Sequence, residues 1–434
     1  MADTRFLVRS GGSLSGVVRV PGDKSISHRS IMLGSLAEGV TDVSGFLEGE
    51  DALATLAAFR AMGVQIDGPD NGKVRVHGVG MHGLRAPGLA LDLGNSGTSM
   101  RLMTGLLAGQ AFDAALTGDT SLSSRPMQRV VAPLTTMGAQ IDSADNGTAP
   151  LNIHGGSVLH GIEYDMPVAS AQVKSSLLLA GLYAQGETCI SEPAPTRDHT
   201  ERMLTGMGYP VQCDEGRVCI EGGHTLQGIE IDIPADISSA AFFLVGASIA
   251  PGSDLLLQHV GMNPTRTGVI DILRMMGARI DISNERNVGG EPVADLRVQA
   301  APLQGVEIPE ALVPLAIDEF PVIFVAAACA EGRTVLTGAE ELRVKESDRI
   351  QVMADGLSLL GVNAEPTPDG MIIEGGSIDG GTVDSHGDHR IAMAFAMAAL
   401  RAHSDIEIRD CANVNTSFPD FVELASGAGL GISE

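Results

Sequence analysis

The chain has 434 residues, 44% of them hydrophobic and only 3% aromatic, with 54 glycines and no tryptophan. That composition supports two or three packed domains and excludes a disordered chain. A formal net charge of −26 excludes nucleic acid and anionic membranes as general partners. It does not exclude a small anionic substrate, because surface charge is screened beyond about 8 Å at physiological salt.

Local cations therefore matter more than the total, and lysine is scarce: Lys24, Lys73, Lys174 and Lys345 are the whole set. Three of the four lie in Ser-containing segments. No apolar run reaches membrane-span length, and Met1 to Arg5 lacks the basic start and apolar stretch of a secretory signal. Cys189, Cys213, Cys219, Cys329 and Cys411 are odd in number and form no CxxC pair, which predicts reduced thiols in a cytoplasmic protein.

In chain order, the first element of interest is Pro21-Gly22-Asp23-Lys24-Ser25-Ile26-Ser27-His28-Arg29, a loop running into an apolar helix. Lys24 and His28 are four apart, as are Ser25 and Arg29, which predicts one polar side on the first turns. A helix start with free N–H groups and cations is an oxyanion site. The bland reading is a solvated basic helix start. Next, Gly78 to Gly83 satisfies GxGxxG, but no helix pattern follows, so it is not a dinucleotide fingerprint.

Leu91 to Arg101 reads as a short strand, a Gly- and Ser-rich turn, and a helix start, the form of a phosphate-cradling loop. Gly97 lets a ligand approach its backbone. Arg125 precedes Pro126 and is therefore extended. Ser170-Ala171-Gln172-Val173-Lys174 is another polar helix start; Ser170 could serve only as a cap, and Lys174 only as a solvated lysine.

The second half repeats the style. Ile317-Asp318-Glu319 precedes an apolar helix, where acids are ordinary dipole partners. Lys345 and Arg349 flank Glu346 at a spacing that a surface ion-pair ladder would share. His386-Gly387-Asp388-His389-Arg390 opens a Met- and Ala-rich helix. It reads as an anion-binding His–Arg pair rather than a metal site, since no second ligand cluster has convincing spacing.

A longer period runs through all of this. An apolar-periodic helix ending at glycine, followed by alternating strands around a turn, recurs at Gly63, Gly138, Gly208, Gly277, Gly361 and, truncated, Gly429. The spacing of 68 to 84 residues predicts six α/β units in two domains of three. The Pro-bearing segments Arg19 to Gly22 and Ile231 to Asp236 mark the crossings. The domains are then 22–233, and 1–21 joined to 234–434, so that the strand around Leu7 to Val20 belongs with the last three units. Such a double hinge invites a ligand site in an inter-domain cleft.

Taken together, PGDKSISHR, LGNSGTSMR, SRPMQR, SAQVK, LRVKESDR and GDHRIAM resemble, in order, the 5-enolpyruvylshikimate-3-phosphate synthases, a family of enolpyruvyl transferases. The resemblance implies an α/β fold of two inverse α/β domains, each of three βαβαββ repeats. It implies transfer of the enolpyruvyl group of phosphoenolpyruvate to the 5-hydroxyl of shikimate 3-phosphate through a tetrahedral intermediate, without metal or organic cofactor. It also carries residue roles. Ser25, Arg29, Ser170, Ala171, Gln172 and Arg197 fall at shikimate-phosphate positions. Lys24, Gly97, Arg125, Lys345, Arg349 and Arg390 fall at phosphoenolpyruvate positions, with Asn95 and Thr98 shaping the loop, and His389 counts as a further substrate-binding residue beside Arg390. Lys24, Asp318 and Glu346 fall at catalytic positions, Asp318 as base for the 5-hydroxyl and Glu346 as proton donor to the methylene.

The sequence departs from the commoner pattern in places. Ala171 replaces a second serine, Thr416 replaces a C-terminal lysine, and Arg197 follows the branch that uses arginine there. A monomer is expected, because each domain closes on itself. Two other readings remain open at this point. A UDP-N-acetylglucosamine enolpyruvyl transferase expects a reactive cysteine between Ser121 and Arg129, where there is none. A two-domain anion-binding protein has no need of Asp318 and Glu346.

Overall fold

Six helices run out at glycines in the left-handed region of the computed structural model, which describes residues 4–434. Gly63, Gly138, Gly208, Gly277, Gly361 and Gly429 all have φ between 81° and 118°. A β-carbon is disfavoured in that conformation, which is why the same residue type recurs at the same point of each repeat.

The chain divides into two compact units. The first holds 22–233 with the short piece 288–290. Its helices are α1 (Lys24–Leu36), α2 (Glu50–Ala61), α3 (Gly97–Ala108), α4 (Thr120–Ser124), α5 (Gln128–Thr136), α6 (Ala171–Gly181) and α7 (His199–Gly206). Its three four-stranded sheets share one plan: a parallel pair, then two antiparallel pairings. They are Glu230–Asp232, Val40–Ser44, Lys73–His77 and Gln65–Asp70; Leu91–Asp92, Ala114–Thr117, Leu151–His154 and Gln140–Asp142; and Glu163–Asp165, Glu187–Ser191, Arg217–Glu221 and Gln212–Asp214.

The second unit holds the residues up to Pro21 with 234–287 and 291–434. Its helices are α8 (Ile237–Ile249), α9 (Gly268–Met275), α10 (Phe320–Cys329), α11 (Arg349–Leu359), α12 (His389–Ala398) and α13 (Phe421–Ala428). The strand Phe6–Val8 pairs antiparallel with Ile406–Arg409 and Ile432–Ser433. Ser15–Val18 pairs parallel with Asp254–Gly261. The third sheet has three strands, with a parallel bridge Glu307↔Val335 standing where a fourth would enter.

Within each unit the first helix of every repeat lies innermost. α3 packs on both α6 and α1, and α8, α10 and α12 pack on one another. α8 and α10 are apolar on all sides and buried almost end to end, as a core helix must be. Close approach needs small residues. A β-carbon on Gly105 of α3 would lie 1.9 Å from the Ser176 carbonyl oxygen of α6, so these helices meet backbone to backbone. The scarce aromatics are concentrated in the second unit. Phe6, Phe242, Phe243, Phe418 and Phe421 sit with ring centroids 5.4–6.4 Å apart and tie the N-terminal strand to α8 and α13.

Two local expectations are corrected here. Cys189 and Cys219 face each other across adjacent antiparallel strands and form a disulfide, although 30 residues separate them. Lys345 and Arg349 do not share a helix. A 3₁₀ turn, Glu340–Val344, ends at Lys345, and α11 begins only at Arg349. The start of α1 departs from the bland solvated reading: Lys24 and Ser25 are part-exposed, and from Ile26 on, His28 and Arg29 included, the helix is buried.

Candidate active site

The inner helices of each unit begin at the polar motifs, and every one of these starts except that of α10 is capped by a side chain. In the first unit, Asp23 Oδ1 accepts from the Ile26 amide at 2.9 Å, Ser96 Oγ from Ser99 at 3.1 Å, and Ser170 Oγ from Val173 at 3.4 Å. Lys24 Nζ lies 2.7 Å from Asp51 Oδ2. Arg29 is buried and held on three sides. Its Nε donates to Thr200 Oγ1 at 2.7 Å, one amino group to Ser175 Oγ at 2.8 Å, and the other to the Ser25 carbonyl at 2.9 Å.

Gly97 begins α3 between two guanidinium groups. A β-carbon there would lie 3.2 Å from both Arg101 Nη1 and Arg125 Nη1. Arg125 is fixed by Asn95, whose side-chain and backbone oxygens accept at 2.6 and 3.3 Å. It also donates to Ser121 Oγ at 3.1 Å. Arg125 is the C-terminal cap of the short α4 and has the extended backbone expected of a residue before proline. Arg101 donates to Gln172 Oε1, and Gln172 Nε2 donates to Thr98 Oγ1 at 3.1 Å. Ser25, Arg29, Asn95, Gly97, Thr98, Arg125, Ser170, Ala171 and Gln172 thus occupy helix starts or the turns beside them. Arg197, half-buried, lies in the loop ahead of α7.

His28 does not join them. Its Nδ1 lies 2.8 Å from Thr55 Oγ1 and 3.2 Å from Ser99 Oγ, and Nε2 lies 3.4 Å from Ser96 Oγ. Burial first, then Lys24 and Arg29, hold its pKa well below 6.5. His28 is a neutral interior link among α1, α2 and α3.

In the second unit Arg349 is the centre. It is 1% exposed. Its Nε donates to Asp388 Oδ2 at 2.8 Å, and Nη2 to Glu346 Oε2 at 2.5 Å. Nη1 donates to Asp318 Oδ1 at 3.3 Å. Burial alone would depress its pKa, but Asp388, Glu346 and Asp318 drive it far above the ordinary arginine value. Lys345 Nζ and Arg390 Nη2 each lie 3.9 Å from Asp318, so three cations converge on that carboxylate. Asp388 also caps α12 through the Arg390 amide at 2.9 Å, which sets His389 and Arg390 in its first turn, His389 buried. Thr416, at the missing lysine's position, is buried and donates to the Asn413 carbonyl at 2.7 Å.

Several contributors escaped the sequence reading. Arg101 stood in a quoted motif, four residues after Gly97, yet was given no role. Asp51 holds Lys24 from the second helix of its own repeat, and Thr200 and Ser175 hold Arg29 from the third repeat; no local pattern marks any of them. Glu319 turns inward to Ser238 and Arg266 rather than serving as a surface dipole partner.

Comparison with known proteins follows from this arrangement. The sequence profile of a family described as EPSP synthase (3-phosphoshikimate 1-carboxyvinyltransferase) matches residues 8–424. A 3-phosphoshikimate 1-carboxyvinyltransferase of Alkalilimnicola ehrlichii is 74% identical over 429 residues, covering 99% of this chain and 96% of the relative. One from Methylococcus capsulatus is 70% identical, covering 99% and 98%. A solved EPSP synthase of Acinetobacter baumannii is 59% identical with a TM-score of 0.90, covering 99% of both chains.

Proposed function

The chain belongs to the EPSP synthase (3-phosphoshikimate 1-carboxyvinyltransferase) family, and on that premise we propose how its own residues carry the reaction. The chain is a transferase of the shikimate pathway. The 5-hydroxyl of shikimate 3-phosphate adds to C2 of phosphoenolpyruvate while C3 takes a proton. The tetrahedral intermediate then loses phosphate from C2 and a proton from C3, which leaves the enolpyruvyl ether.

Ser25, Arg29, Ser170, Ala171, Gln172 and Arg197 bind shikimate 3-phosphate. Lys24, Asn95, Gly97, Thr98, Arg125, Lys345, Arg349 and Arg390 bind phosphoenolpyruvate, with His389 a substrate-binding residue beside Arg390. Guanidinium groups suit this task, since each offers paired donors to a phosphate or carboxylate. Lys24, tied to Asp51, steadies the departing phosphate.

The observation that carries the reading is Asp318, a carboxylate with Lys345, Arg349 and Arg390 all within 4 Å. Such a group stays ionised and accepts the 5-hydroxyl's proton. Glu346 is the proton donor to the methylene. Its present partner is Arg349, and an anionic substrate that draws on that guanidinium frees the carboxyl for proton transfer.

The test is phosphate release with each substrate omitted in turn, together with hydrogen exchange into the methylene. Asp318→Asn and Glu346→Gln should each lower turnover by about 10²-fold or more, the scale of a general acid or base. Glu346→Gln should also abolish the exchange. Normal turnover and exchange in Glu346→Gln would remove that assignment. Binding of shikimate 3-phosphate without turnover in the unaltered chain would favour an anion-binding protein, and turnover with UDP-N-acetylglucosamine the other transferase. No described helix is long and apolar enough to cross a membrane. We further read the protein as a cytoplasmic monomer, testable as a single 44.9 kDa species in sedimentation.

A further inference from the structure

Lys174 is neither solvated nor a surface neighbour of the site. It is 2% exposed, although it sits in the first turn of α6 beside Gln172. Its Nζ lies 2.8 Å from Glu201 Oε1, 3.2 Å from Glu192 Oε2 and 3.5 Å from the Thr196 carbonyl oxygen. An ammonium has three protons, and here it has three acceptors. The acceptors come from the two ends and the body of one segment. Glu192 follows the strand Glu187–Ser191, Thr196 lies four residues on, and Glu201 is in the first turn of α7. Thr196 Oγ1 closes the set by donating to Glu192 Oε2 at 2.6 Å.

That segment carries Arg197, the residue directly after Thr196. It has Pro193 and Pro195, which have no N–H to give, so side-chain ties matter more than usual in fixing it. The neighbours of the cluster hold the other phosphate-binding cation. Ser175 follows Lys174 and Thr200 precedes Glu201, and both hydroxyls accept from Arg29. The Lys174–Glu201 and Ser175–Thr200 contacts therefore bind α6 to α7 side by side.

We propose that Lys174 is a positioning residue for recognition of the substrate's 3-phosphate: with Glu192, Thr196 and Glu201 it pins the 192–198 loop so that Arg197 is held for that phosphate. The inference rests on the assignment of Arg197 to shikimate 3-phosphate made above. Burial by itself lowers the pKa of Lys174, but Glu201 and Glu192 raise it above the ordinary lysine value, so the tie persists across the working pH range. Without the ammonium, two largely buried carboxylates face each other, and the loop that carries one of them must open to water.

The test uses Glu192→Gln and Lys174→Met in the full chain, with far-UV circular dichroism to establish folding. Glu192→Gln leaves the buried Lys174–Glu201 pair intact, so it reports even if Lys174→Met does not fold. Either variant should raise KM for shikimate 3-phosphate about tenfold, with kcat and KM for phosphoenolpyruvate within about threefold; tenfold is about 1.4 kcal/mol. The Kd for unphosphorylated shikimate should stay unchanged, which general damage to the site would not allow. Arg197→Met is the control. If it leaves KM for shikimate 3-phosphate unchanged, the assignment of Arg197 falls. If it raises that KM while the folded Lys174 and Glu192 variants do not, the positioning role falls alone. Equal losses for shikimate and its phosphate would also overturn that role.

Discussion

Asp388→Asn tests how the buried arginine of the second unit is held. The carboxylate accepts from Arg349 Nε at 2.8 Å and from Ser347 Oγ at 3.1 Å through Oδ2. Through Oδ1 it accepts from the Arg390 amide at 2.9 Å and from Arg349 Nη2 at 3.4 Å. Asparagine keeps one oxygen. If that oxygen caps α12, the new amino group points its protons at those of Arg349; if it is turned to Arg349, the cap is lost. Removing one partner of a buried ion pair costs about 3–5 kcal/mol. Glu346 and Asp318 still neutralise Arg349, so the lower end applies, about 3 kcal/mol. For a unit of this size each kcal/mol moves Tm by about 2–4 °C, which predicts a fall of roughly 6–12 °C. With no tryptophan to report unfolding, far-UV circular dichroism is the probe. If the same energy is lost from placing Arg349 and Arg390, phosphate release falls about 10²-fold. A shift under about 2 °C with normal turnover would mean that Glu346 and Asp318 hold Arg349 unaided and that Asp388 only caps α12.

Three further outcomes follow from other parts of the molecule. Gly105→Ala should destabilise the first unit by about 1–3 kcal/mol or more, since its methyl would lie 1.9 Å from the Ser176 carbonyl oxygen and neither backbone can yield cheaply; thermal melting checks it. Gly97→Ala should raise KM for phosphoenolpyruvate with little change in Tm, because the methyl meets only the ends of Arg101 and Arg125, 3.2 Å away. His28 gives a pH signature. Its folded pKa is depressed, so below about 6.5 the unfolded chain takes up a proton that the folded chain refuses, and stability falls as pH falls. From about pH 6.5 to about pH 5.5 this costs roughly 1 kcal/mol, a component that His28→Asn should lack when melting curves are compared across that range.

Much of the fold is local in origin, and those parts were legible. A glycine at a left-handed cap, an apolar helix of fixed period and a capping Asp or Ser are each decided within a few residues. The six repeats and the starts of α1, α3, α6 and α12 could therefore be read directly from the sequence. The place of the N-terminal strand was legible too, because Pro21 and Pro234 interrupt the pattern on either side of the first three repeats.

What the tertiary structure decided is which charges are buried and what they face. The three lysines in Ser-containing segments looked alike, yet Lys24 and Lys345 stay partly exposed beside carboxylates while Lys174 is enclosed by Glu192 and Glu201. The spacing around Arg349 could not separate a binding arginine from one rung of a surface ladder; Asp388, from the start of α12, lies against it and buries it. Cys189 and Cys219 became partners only through strand register. The reason is common to all of them. Helix periods and caps depend on neighbours in sequence, whereas the worth of a buried charge or thiol depends on atoms within about 4 Å, which the chain brings from other elements distant in sequence.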